Sequence, residues 1–124
     1  MEIRLQANAS GVELIDSDEF TSFAVAIAGI DEAQWHSDPR HRQHVTTHVG
    51  HVEDISGESH AWVPLDLIVN LADREAADSQ WYDSLASMVG YANSRGWLRD
   101  SCVRAHVAFV GPGPADTRTI DNFD

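Results

Sequence analysis

The clearest alternation in the chain is its first. In "MEIRLQ", Ile3 and Leu5 fall on one side of an extended backbone and Glu2, Arg4 and Gln6 on the other, the pattern of a half-buried strand. After the turn-rich "NASG", the short segment "VELI" continues the pairing. "DSDEFTSFAVAIAG" opens with Asp16 three residues ahead of Glu19, a capping-box spacing, and continues with Phe20, Phe23, Ala24 and Ile27 at helical intervals. That spacing predicts an amphipathic helix ending near Gly29. "DEAQWHSDPRHR" is polar, contains Pro39 and reads as an irregular connection, in which Trp35 and His36 are read first as surface packing residues and second as a lid over the sheet.

The segment "HRQHVTTHVGHVED" carries four of the chain's seven histidines, His41, His44, His48 and His51. Its branched residues favour a strand, yet strict alternation would drive His51 and Glu53 into the core beside Val45 and Val49. A β-bulge at Gly50 repairs this by turning Val45, Val49 and Val52 inward and His44, His48, His51 and Glu53 outward. A helix, with histidines at 3, 4, 3 spacing along one face, is the other repair. "HAWVPLDLIVNLA" alternates around Val63, Leu65, Leu67 and Val69 and predicts a hairpin partner, against a competing helix beginning at Pro64. Trp81, Leu85, Met88, Val89 and Ala92 mark a long helix that Gly96 ends, and "SCVRAHVAFV" alternates as a final strand.

The resulting order is strand, helix, strand, strand, helix, strand: an α+β ferredoxin-like βαββαβ fold over residues 1–110. It would be followed by an acidic, Gly/Pro-punctuated tail over 111–124. Two helices would cover one face of an antiparallel sheet and leave the other open to water, a ligand or a second subunit, so a homodimer through that face is a further expectation.

Composition limits what that face can meet. The formal net charge of −12 opposes nucleic acid and anionic membranes, and no apolar run is long enough to span a bilayer. The N-terminus has neither a basic start nor an apolar core of an export signal, so a cytoplasmic location is expected. Cys102 stands alone, and all eight basic residues are arginines, which excludes an intramolecular disulfide and a Schiff-base lysine. Neither HExxH nor a paired-cysteine pattern occurs, and no metal or cofactor is expected.

The outward residues suggest acid–base chemistry. His48, His51, His44 and His106 are the candidate proton carriers, because imidazole titrates near neutrality. Arg104, Arg4, Trp62 and Asp66 are the candidate substrate contacts, with arginine pairing a carboxylate. The expected function is that of a small enzyme, an isomerase, cyclase or lyase, acting without cofactor on an anionic or phenolic metabolite. The alternative is a non-catalytic acidic module, an immunity or antitoxin-type inhibitor of a basic protein partner.

Overall fold

A computed structural model describes residues 1–111. The alternating first segment forms β1 (Glu2–Gln6), which pairs antiparallel with β2 (Val12–Ile15) on one side and parallel with β3 (Ala24–Ala28) on the other. Next come α1 (Glu32–Ser37), α2 (Pro39–His48), β4 (His51–Ile55), β5 (Glu58–Pro64), α3 (Leu65–Ala72), α4 (Ser79–Ser94), β6 (Leu98–Arg99) and β7 (Cys102–Gly111). The strands form one seven-stranded sheet in the order β2-β1-β3-β7-β5-β4, with β6 pairing β7 beside the main path. β3 runs parallel to both β1 and β7, and β7 runs antiparallel to β5.

This mixed sheet with four helices overturns the antiparallel ferredoxin-like expectation, and the error begins at residues 16–29. The predicted helix there is a turn followed by β3. Its "AVAIA" run lies between two parallel neighbours, with Val25, Ala26 and Ile27 all buried. Because the residues of this strand that face away from the core are alanines, it reads as a continuous apolar run, and such a run fits helical spacing equally well. The supposed capping carboxylate is used elsewhere: Glu19 accepts a hydrogen bond from the N-terminal ammonium of Met1 at 2.6 Å and others from Thr21.

Residues 31–48 are also corrected, from loop and strand to two helices. Asp31 and Gln34 form a reciprocal capping box at α1, and the Asp38 side chain caps α2 by accepting from Arg40 N, with Pro39 in the first turn. Trp35 is fully buried and is not a lid. α2 ends at His48 and β4 starts at His51, so Gly50 forms no bulge within a strand. A Cβ at Gly50 would lie 1.9 Å from the carbonyl oxygen of Trp62, so glycine is required for the chain to turn this closely against β5. Residues 61–72 split at Pro64 into the end of β5 and the helix α3, whose first amide, Leu65 N, donates to Ser101 O at 3.0 Å.

The core lies on one face of the sheet. Ile3, Leu5, Val25, Ile27, Ala61, Val63, Ala105 and Val107 point from the strands to meet Trp35, Val45, Ile68, Trp81 and Leu85 from the four helices. Alternation then sends their neighbours to the opposite face. No helix among the described residues is long and apolar enough to cross a membrane.

Candidate functional site

Strand register assembles the polar face in rows. One row runs Glu2, Ala24, His106, His60, Glu53 across β1, β3, β7, β5 and β4, and the next carries Arg104, Trp62 and His51. Residues paired across neighbouring strands share a face, so these side chains rise on the same side, away from the core. From β3 only the methyl groups of Ala24 and Ala26 rise, which leaves a shallow floor between Glu2 and Arg4 on one side and His106 and His60 on the other.

At the centre, His60 and His106 face each other edge to face with ring centroids 5.7 Å apart. His106 Nδ1 is 3.7 Å from Glu58 Oε1, and one ligand-capable atom from each of Glu58, His60 and His106 lies within 4.8 Å of the others. His60 Nδ1 is buried with no hydrogen-bond partner among the described residues. Burial, and then the nearby positive charge of Arg104, push the His60 pKa down and favour a neutral ring.

Below this cluster the sheet opens. β5 and β7 pair only as far as His60 and His106, and where they part a cleft of about 340 Å³ lies between them, with Trp35 and Phe109 against it. Its size is near the lower end of the roughly 300–1,000 Å³ typical of small-ligand sites. Glu58 and His106 stand on one side; Glu32 and His36, with His36 Nε2 3.6 Å from Glu32 Oε2, stand on another.

The arginines divide into spent and unspent. Arg4 pairs with Glu2, Arg40 with Asp38, Arg42 with Asp54, Arg74 with Asp18 and Asp78, and Arg99 with Glu53. Among the described residues Arg95 and Arg104 have no carboxylate partner, and both lie over the ring of Trp97, at 5.4 and 5.5 Å. A guanidinium held by an aromatic face keeps its hydrogen-bonding edge available for an anion.

The other residues expected at the site are dispersed. His44 and His48 stand on α2 and meet edge to face with ring centroids 4.7 Å apart, and His44 Nε2 lies 2.9 and 2.8 Å from the carbonyl oxygens of Gln6 and Ala9. Two acceptors on one ring nitrogen require it to be the protonated one, so His44 ties α2 to the β1–β2 turn. His51 is exposed on β4 opposite Trp62, and Asp66 is exposed in the first turn of α3 and not on the sheet. Trp62 is almost wholly buried: it donates from Nε1 to Glu53 Oε1 at 2.8 Å and lies under Arg99 at 4.2 Å. His106 and Arg104 are the two expected site residues that share the central patch.

Glu58 escaped the sequence reading because "DISGES" read only as a turn, and His60, which opens "HAWVPLDLIVNLA", was passed over although the alternation that turns Trp62 outward turns His60 outward too. Their i, i+2 spacing at the start of an alternating strand was the available signal. Also unforeseen was buried Ser59, which accepts from Trp35 Nε1 at 2.9 Å and donates to Asp54 Oδ1 at 2.8 Å. That hydroxyl, then Arg42, holds the Asp54 carboxyl below its ordinary range. Burial, and then Asp100, push the Cys102 thiol up, away from a reactive thiolate. No protein-family model, curated protein or solved structure matches this chain.

Proposed function

We propose that the protein is a small enzyme performing acid–base chemistry on a small anionic or phenolic metabolite at the outer face of β7. The observation that carries this reading is the juxtaposition on one strand face of Arg104, a cation without a carboxylate partner among the described residues, and His106, 3.7 Å from Glu58. Two residues along a strand separate side chains by about 6.6 Å, the scale of a small organic acid. A carboxylate or phenolate held by the Arg104 guanidinium therefore reaches the Glu58–His60–His106 cluster with its far end, and the cluster takes up or returns a proton. Trp97 supports the arginine and offers an aromatic edge to the bound molecule.

The test is proton exchange. In deuterated buffer containing a chelator, a panel of small carboxylic acids and phenols is followed by NMR for binding and for loss of carbon-bound protons. Binding should vanish in Arg104→Ala, and exchange should vanish in His106→Ala while binding survives. If no member of the panel binds, or if exchange persists in His106→Ala, the reading is wrong.

A second reading is favoured by the charge of −12. An acidic surface on which five of the arginines are already neutralised attracts a basic protein, and an inhibitor of such a partner would use this surface without catalysis. Capture of a basic protein whose binding falls steeply with salt, together with silence in the exchange assay, would favour this reading over the enzyme.

A further inference from the structure

We infer that Glu58, His60 and His106 form a binding site for one divalent transition-metal ion of the zinc type. The inference rests on the acid–base site proposed above and names an ion that the same cluster would hold. It departs from the expectation, drawn from sequence patterns, that no metal is used.

Three features support it. The first is ligand convergence from a rigid frame: Glu58 and His60 leave the same face of β5 two residues apart, and His106 is the ladder partner of His60 on β7. Their ligand atoms already lie within 4.8 Å of one another, whereas a tetrahedral ion with bonds of about 2.0–2.1 Å holds its ligands roughly 3.4 Å apart. Glu58 is exposed at the first position of its strand and can swing inward to close the set. The second is the orphaned ring nitrogen. A buried polar atom without a partner is unfavourable, and His60 Nδ1 gains one if it is the atom that binds the ion.

The third is the chemistry of the donor set. Two imidazoles and one carboxylate suit zinc and its first-row neighbours, while magnesium and calcium prefer all-oxygen shells. Three protein ligands leave one tetrahedral position for water, the arrangement of catalytic zinc sites, and here Glu58 and His106 border the cleft. With the ion in place the imidazoles would serve as its ligands, so the metal-bound cluster is a second state of the site, distinct from the metal-free one that carries the proton. The adjacent pair His44 and His48 is the competing chelator among the described residues, but His44 Nε2 is already engaged by two carbonyl oxygens.

Zinc chloride alone is titrated into the full chain by calorimetry, with histidine ring nitrogens followed by NMR and no organic anion present. One equivalent should bind, with shifts confined to His60 and His106. Glu58→Gln, an exposed change that leaves the fold intact, should weaken binding by more than the roughly 10- to 100-fold typical of losing an outer-shell partner. His60→Ala should do the same, with circular dichroism as the check on folding. The double variant His44→Ala/His48→Ala should bind like the parent, and magnesium should not compete. Absence of binding at micromolar zinc overturns the inference, as does binding that survives Glu58→Gln or is lost in the His44/His48 variant. Because the exchange assay runs in chelator and this titration runs without an organic anion, either idea can fail while the other stands.

Discussion

Replacing Gly50 by alanine tests the packing logic of the fold with a single methyl group. The added Cβ would sit 1.9 Å from Trp62 O and 2.9 Å from Trp62 C, where even tight contacts do not fall below 3.0 Å. The turn into β4 must therefore retreat from β5 by about 1.1 Å, the gap between 1.9 Å and that 3.0 Å limit. Neighbouring His51 pairs with Trp62, so the retreat stretches the first rung of the β4–β5 ladder beyond hydrogen-bonding range. Overpacking costs about 1–3 kcal/mol, and each lost ladder bond adds about 1 kcal/mol. The expected loss is about 2–4 kcal/mol, a large share of the roughly 5–15 kcal/mol that holds such domains folded.

Gly90 supplies the control. It is exposed within α4, with nothing within 4 Å of an added Cβ, so Gly90→Ala should raise stability by about 0.5–1 kcal/mol through helix propensity alone. The assay is urea unfolding followed by tryptophan fluorescence. With a slope of about 1.5 kcal/mol per molar urea, Gly50→Ala should lower the midpoint by about 2 M and Gly90→Ala should raise it by a few tenths. A Gly50→Ala protein within about 1 kcal/mol of the parent would refute the close-approach argument.

Three further outcomes are expected. Ser59→Ala strands the indole N–H of buried Trp35 and should cost about 1–3 kcal/mol. It should also let the Asp54 pKa rise toward its ordinary value, as read by carboxyl NMR, because the serine hydroxyl is the largest cause of its depression. His44→Ala releases α2 from the β1–β2 turn, at a cost of about 1 kcal/mol, with faster amide exchange over residues 7–11 as its signature. The N-terminal ammonium, aided by Thr21, holds Glu19 down to about 2 from an ordinary 4.5. Its stabilising contribution is therefore complete above about pH 4.5 and fades as pH falls toward 2, and Glu19→Gln should flatten the acid limb of a stability–pH curve in that window. An unchanged acid limb would show that the pair does not form in solution.

Legibility in the sequence followed the range of the interactions. Period-two alternation in "MEIRLQ" and "SCVRAHVAFV" and the apolar stripe from Trp81 to Ala92 are local, and β1, β7 and α4 formed where those patterns lie. For the same reason Arg4, Arg104 and His106 could be placed opposite the core-facing residues. The histidine-rich segment was harder, because branched residues and 3, 4, 3 spacing support strand and helix alike. The chain uses both, breaking at Gly50 because the carbonyl of Trp62, twelve residues on, leaves no room for a side chain.

What the sequence by itself determined is which side chains are apolar, which can carry protons and which cannot exist here, lysine above all. Tertiary structure alone decided whether "AVAIA" is helix or strand, since the backbone partners that hold it extended, β1 and β7, come from distant parts of the chain. It alone decided that Glu58 and His60 meet His106, about 46 residues away along the chain, because register between β5 and β7 is a property of the pair. Local periodicity specifies a face. Only pairing specifies what shares it.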